Sequence, residues 1–228
     1  MKEFFKSIKK SGDGLLSNLG VILSLFFLIV FLLITQNVLT QGLLVKIDHQ
    51  VLSLIVSLQK INLTKIFLFF TYLANWQVIT ILGTILAILC WLTRKKQLMY
   101  FLISGLVGSE VILTIFKLIF RRARPEVGFF LIPENGYSFP SGHAVMSVIF
   151  YGMIGYYLFH STQKRGWKLL VIIFSFLIIF LIGFSRIYLG VHCLSDVLGS
   201  WTLGLFLLIL LIILFKQKEK IAPSLSKN

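Results

Sequence analysis

Apolar positions in this chain fall in long runs set apart by short polar segments, without the alternation of strands. Six runs stand out: Leu15–Thr35, Ile66–Leu92, Gln97–Phe120, Pro140–Phe159, Leu169–Ser185 and Leu194–Phe215. Each approaches the roughly 20 apolar residues that carry a helix across the hydrocarbon core of a bilayer. Lipid leaves the backbone no partner but itself, so only helices and closed barrels span it, and nothing here repeats with period two. The pattern therefore predicts an all-α integral membrane protein with six transmembrane helices. The first run follows lysines, as a signal peptide would. Its apolar stretch is longer than a signal core, and no small-x-small site follows at Thr35-Gln36-Asn37, so it is expected to remain as a helix.

Two segments between runs are long enough to hold structure of their own. Asn37–Lys65 places Leu43, Leu44, Ile47, Val51, Leu54, Ile55 and Leu58 at helical spacing, interrupted by Lys46, Asp48, His49 and Gln50. That predicts an amphipathic surface helix between the first two spans, with His49 as an interfacial polar residue. Arg121–Phe139 carries glycine, proline and charge with no period, and reads as a loop. No linker, repeat or low-complexity block divides the chain, so 1–228 reads as one domain.

Composition agrees: 57% of residues are hydrophobic. The net charge of +14 changes the picture only through its distribution. If six spans alternate, fourteen of the 22 basic residues fall on one side: Lys2, Lys6, Lys9, Lys10, Arg94, Lys95, Lys96, Lys164, Arg165, Lys168, Lys216, Lys218, Lys220 and Lys227. The positive-inside rule makes that side cytoplasmic, with both termini there, in a multi-pass protein. The excess charge is thus a topology signal, and no nucleic-acid partner is expected. Cys90 and Cys193 fall near opposite faces, which argues against a disulfide.

The remaining basic residues, among them Lys117, Arg121, Arg122, Arg124 and Arg186, lie on the outer side. Positive charge on the disfavoured face calls for an anionic ligand. On this parity Lys117 and Arg124, the run Pro140-Ser141-Gly142-His143, Ser185-Arg186, and His192 with Asp196 all meet at the outer leaflet. Pro140 suits the first turn of a helix. Ser141, Gly142 and His143 would then offer free backbone N–H groups to a phosphate. Lys117, Arg124 and Arg186 supply charge to phosphoryl oxygens. His192 and Asp196 share a helix face, so the carboxylate can fix the tautomer of a nucleophilic imidazole. A second histidine, His143, allows one to attack and the other to donate the proton.

These residues carry a resemblance. Lys117-x6-Arg124-Pro125, Pro140-Ser141-Gly142-His143 and Ser185-Arg186-x5-His192-x3-Asp196 resemble the three signature motifs of the type-2 phosphatidic acid phosphatase superfamily. The resemblance implies that His192 attacks phosphorus and forms a phosphohistidine, that Asp196 orients it, and that His143 protonates the leaving oxygen and then activates water. Lys117, Arg124, Ser141, Gly142, Arg186 and Ser185 would bind the phosphoryl oxygens. No metal or cofactor is implied.

Outside the signature, Arg121 and Arg122 hold either a second phosphate or lipid headgroups. Glu110, two turns before Lys117, supports that lysine, lines the substrate path or hydrogen-bonds between helices. Tyr137 and Glu134 read as a lid, and His160 lies at the far end from the site. The expected reaction is hydrolysis of a lipid phosphate or diphosphate at the outer leaflet, with undecaprenyl diphosphate favoured over phosphatidylglycerophosphate or phosphatidate. A lipid phosphotransferase is a competing reading. So is a non-catalytic lipid-phosphate binder or transporter, which would need the cations but not two histidines and an aspartate.

Overall fold

The computed structural model describes residues 2–125 and 131–225, with side chains over 18–125 and 131–217. Among them are eight α-helices and no strand: α1 (Lys2–Leu39), α2 (Leu43–Ser57), α3 (Ile61–Tyr72), α4 (Trp76–Leu92), α5 (Lys96–Phe120), α6 (Gly142–Ser161), α7 (Arg165–Tyr188) and α8 (Leu194–Leu225). Five helices are long and apolar enough to cross a membrane, or six if α3 and α4, bent by 43° at their break, cross as one span. The chain is a multi-span membrane protein.

The bent α3–α4 pair divides the one span expected over Ile66–Leu92. Its break at Leu73–Asn75 contains neither proline nor glycine. Asn75 is instead extended (φ −64°, ψ 142°) and starts α4, its carbonyl accepting from the Ile79 N–H at 3.0 Å. The Leu73 carbonyl freed by the break takes the Tyr151 hydroxyl at 2.8 Å, which restores the backbone partner that lipid cannot offer.

α6 is the central element, enclosed by α5, α7 and α8. Ala144, Val145, Val148, Ile149, Phe150 and Met153 are all buried. In lipid the helices gain little from hiding apolar surface, so close packing holds them together. Gly152 and Gly204 show how closely: a Cβ on Gly152 would stand 2.4 Å from Leu208 Cδ2, and one on Gly204 2.8 Å from Val148 Cβ. Outward-facing positions such as Phe26, Ile85, Phe174 and Phe176 stay exposed, as lipid contact requires.

α2 forms where expected but buries a different face. Leu43, Leu54 and Leu58 are exposed, whereas Val45, Asp48, Leu52 and Ile55 pack inward against α7 and α8. A polar residue thus sits in the middle of the buried stripe. His49, Lys46 and Gln50 remain on the outer side.

The two ends of the bundle differ in chemistry. At one end Lys95 donates to the Tyr157 hydroxyl at 2.9 Å, Lys168 lies 4.9 Å from the Phe159 ring centroid and Lys216 lies 5.8 Å from that of Tyr156. His160 is here too, its Nδ1 2.8 Å from the Tyr156 carbonyl. Lys2, Lys6, Lys9, Lys10, Lys218, Lys220 and Lys227 lie outside the residues whose side chains are described. The opposite end holds the candidate site. Cys90 and Cys193 are both free thiols.

Candidate active site

Four helix ends converge at that second end: the C-termini of α5 and α7 and the N-termini of α6 and α8. α8 begins with a carboxylate built into its first turn. The first helical bond runs from the Val197 N–H to the Cys193 carbonyl, which makes Cys193 the cap and Asp196 the third helical residue. Asp196 Oδ2 reaches back to accept the Cys193 N–H at 2.9 Å, one half of a capping box. The same oxygen takes the Ser138 hydroxyl at 2.5 Å and faces His192 Nδ1 at 3.3 Å. Asp196 is fully buried and His192 is 1% exposed.

With Nδ1 turned to a carboxylate, the imidazole presents the Nε2 lone pair outward, 3.2 Å from Arg124 Nη1. Burial pushes the His192 pKa down to about 4; Asp196 works against this, and Arg186 and Arg124 reinforce it. Because the value falls below the usual 6.5, the ring is neutral and nucleophilic above about pH 4 and charges only below it. A histidine-labelled NMR titration, assigned with His192→Gln, is expected to show the neutral imidazole persisting to about pH 4. A midpoint near 6.5 would contradict this environment.

Arg124 ties two loops together. Its guanidinium donates to the carbonyls of Gly136 (3.0 Å), Asn135 (3.0 Å) and Val191 (2.9 Å). Arg186, 1% exposed at the end of α7, donates from Nη1 to Thr71 Oγ1 at 2.6 Å and from Nη2 to Glu134. Thr71 lies just before the α3–α4 break. Glu134 also stands 3.6 Å from Arg124, so one carboxylate spans two of the three signature cations. Burial alone would raise the Glu134 carboxyl, but Arg186 and then Arg124 more than reverse this and hold it below the usual carboxylate range. Two buried groups have no partner here, Arg186 Nε and Ser141 Oγ. Unpaired buried polar atoms are costly, and a ligand oxygen would satisfy both.

The Pro140–His143 turn differs in detail from the expected one. α6 starts at Gly142 with Ser141 as its cap, so Pro140 precedes the helix. The Ser141 N–H is already engaged by Ser200 Oγ at 2.6 Å, which pins the turn to α8. The first helical bond is from Val145 N–H to the Ser141 carbonyl. The N–H groups of Gly142, His143 and Ala144 thus lack an intrahelical partner. A Cβ on Gly142 would lie 3.8 Å from Lys117 Nζ, so the lysine faces this turn.

From this end an apolar cleft of about 910 Å³ descends between α4 and α5. Lys117, Glu134, Gly142 and His143 line its head, and Ile88, Trp91 and Met99 its foot. Ile88, Trp91, Ile103 and Val107 are exposed on its flank, so the cleft faces the side of the bundle, where lipid lies. Glu110 lines the cleft below Lys117, which fits a place on the substrate path.

Several expected site residues are engaged elsewhere. Arg121 adopts φ 46° and caps α5, its Nε donating to the Leu118 carbonyl at 2.9 Å, and its side chain is exposed. A cation suits a helix C-terminus, which offsets the left-handed backbone. Arg122 faces neither a second phosphate nor headgroups, because its guanidinium bridges Asp48 (2.8 Å) and Asp196 (2.5 Å). Ser185 is fully buried and donates to the Ile182 carbonyl of its own helix at 2.6 Å, away from a ligand. Tyr137 meets the site through its carbonyl, 3.5 Å from Arg124 Nη2. Asp48, Thr71, Ser138 and Ser200 escaped the sequence reading. Only Asp48, a charge inside an apolar stripe, left any trace there.

Known proteins resemble this chain in sequence and fold. The family described as the PAP2 superfamily matches residues 97–220. Phosphatidylglycerophosphatase B of Bacillus subtilis (strain 168) is 42% identical over 90 residues, 39% of this chain and 44% of that protein. The chain thus spans less than half the length of that relative in the match. Bacitracin transport permease protein BcrC of Bacillus licheniformis is 28% identical over 160 residues, 60% of this chain and 74% of that one. Among solved structures, the first transmembrane PAP2-type phosphatidylglycerolphosphate phosphatase from Bacillus subtilis is 29% identical, with a TM-score of 0.74 over 89% of this chain and 96% of that one. LpxE of Aquifex aeolicus is 27% identical, with a TM-score of 0.57 over 72% and 93%.

Proposed function

Because the chain belongs to the PAP2 superfamily through residues 97–220, we propose that it hydrolyses the phosphate of a membrane lipid through a phosphohistidine on His192. The observation that carries this reading is the continuous contact path Asp196–His192–Arg124–Glu134–Arg186 at the head of an apolar cleft. A soluble phosphate ester would need the cations but not the cleft.

The lipid tail lies in the α4–α5 cleft, and the phosphoryl group displaces Glu134 from Arg186 and Arg124. Its oxygens take up Lys117, the two arginines, Ser141 Oγ and the N–H groups opening α6. His192 Nε2 attacks phosphorus, and the bond from phosphorus to the lipid oxygen breaks. His143 gives that oxygen its proton. His143 then takes a proton from water, the hydroxide attacks phosphorus, and the P–N electron pair returns to His192. Protein cations neutralise the phosphoryl group.

The site faces outward across the plasma membrane, since Lys95, Lys168 and Lys216 mark the opposite end and basic connections stay in the cytoplasm. On substrate, the sequence preference for undecaprenyl diphosphate rests on the chain's small size, its outward site and the extra arginine pair, Arg121 and Arg122. With Arg122 held between Asp48 and Asp196, a terminal monoester such as that of phosphatidylglycerophosphate fits better, and the diphosphate stands second. The test is phosphate release by purified enzyme from phosphatidylglycerophosphate, phosphatidate, undecaprenyl diphosphate and a short-chain prenyl diphosphate, each with excess chelator. Release from at least one lipid, undiminished by chelator, is expected, with phosphatidylglycerophosphate turned over fastest. No release from any of them would overturn the reading.

A further inference from the structure

We propose that Asp48, on α2, is a positioning residue of this reaction: by drawing off half of the Arg122 guanidinium, it leaves the Asp196 carboxylate charged enough to support His192. The inference rests on His192 as the nucleophile.

Arg122 sits between two buried carboxylates. Nη1 donates to Asp196 Oδ1 at 2.5 Å and Nη2 to Asp48 Oδ2 at 2.8 Å; the side chains of Arg122, Asp48 and Asp196 are 12%, 2% and 0% exposed. One cation against two anions leaves this cluster with a net negative charge on the Nδ1 side of His192, opposite the Arg124 guanidinium at Nε2. Phosphorylation at Nε2, with the proton kept on Nδ1, makes the imidazole ring cationic. The surplus charge stabilises that state, and in a buried setting the interaction is poorly screened. Were Asp48 neutral, Arg122 would belong to Asp196 alone. The pair would then be balanced, and the developing imidazolium would lose its counter-charge.

Asp48 also sets the place of Asp196. Its Oδ1 accepts the Ser195 N–H at 2.8 Å, and Oδ2 accepts the Ser195 hydroxyl, which in turn receives Arg122 Nη1 at 2.7 Å. Cys193, the cap residue of α8, has no oxygen to offer the helix start, so a carboxylate from another helix supplies it. Asp196 hangs from that same first turn. α2 lies outside the three signature motifs, yet its one buried charge acts on the nucleophile through two residues, Arg122 and Asp196.

Charge and shape separate in two substitutions. Asp48→Asn keeps the outline and removes the charge; Asp48→Glu keeps the charge and lengthens the arm. With the fastest-hydrolysed lipid of the panel above, Asp48→Asn is expected to lower kcat about 10–100-fold with KM within about twofold, the size seen when a partner that orients a reactive imidazole is lost. Asp48→Glu should retain more kcat than Asp48→Asn. Adding Arg122→Gln to Asp48→Asn should recover kcat at least about fivefold, because the over-neutralising cation is gone. A purely structural role predicts the reverse: the isostere better than Glu, and the double variant no better than the single. Either of those results, or Asp48→Asn at wild-type kcat, overturns the inference while leaving the proposed function intact. If the Asn variant does not fold, the Glu and double variants are read against wild type, and a loss of kcat of about 100-fold or more in both overturns the inference. Full activity in His192→Ala would instead remove the parent reading, and this inference with it.

Discussion

Substituting His192 by alanine is expected to reduce phosphate release by about 10⁴-fold or more, the scale on which nucleophile removal acts in covalent catalysis. No other described side chain is equivalently placed. His192 is held on Nδ1 by Asp196 and presents Nε2 to Arg124 at 3.2 Å, whereas His143 opens α6 on the cleft wall. Rapid quenching of wild-type enzyme with radiolabelled lipid should trap an acid-labile, alkali-stable phosphoprotein. In His192→Ala the trapped species and the turnover should vanish together. In His143→Ala the phosphoenzyme should still form, slowly, and persist, because water activation is lost after the first step. Unchanged turnover in His192→Ala would defeat the mechanism. Loss of turnover with labelling retained would move the nucleophile elsewhere.

Much of this site was legible in the sequence because its residues sit at helix ends, and long apolar runs announce their ends. Parity then brought the ends of α5, α6, α7 and α8 to one face, which the structure bears out. What escaped depends on tertiary partners. Asp48 looked like part of a polar face because helical spacing does not reveal that Arg122, 74 residues away, lies opposite. Arg121 and Arg122 are adjacent and chemically identical, yet one caps α5 and the other enters the ion-pair network. The left-handed turn at Arg121 (φ 46°) separates them, and a non-glycine residue gives no sign of it beforehand. The α3–α4 break was hidden for the same reason, since Asn75 is an ordinary residue until Tyr151 is there to satisfy the freed carbonyl. Local pattern wrote the helices and their ends. Contacts between them wrote the rest.

Arg186→Lys separates charge from geometry at the phosphate itself and is expected to lower kcat/KM about 10²–10³-fold, as loss of one transition-state donor does. Arg186 is 1% exposed, and its fork is already divided: Nη1 is held by Thr71 at 2.6 Å, Nη2 reaches Glu134, and Nε has no partner. A planar guanidinium can keep Thr71 as its anchor while turning two N–H groups to phosphoryl oxygens. A lysine ammonium at the same place carries the charge but cannot hold the anchor and span two oxygens at once. The loss should fall on kcat more than on KM, because charge suffices for ground-state attraction while the fork matches oxygens that spread in the transition state. Vanadate, whose trigonal-bipyramidal geometry resembles that state, should lose affinity in proportion to kcat/KM, and inorganic phosphate much less. A lysine variant with wild-type kcat would show that Arg186 acts as charge alone. A loss confined to KM would assign it to binding, and the transition-state contact would then have to come from Arg124 and Lys117.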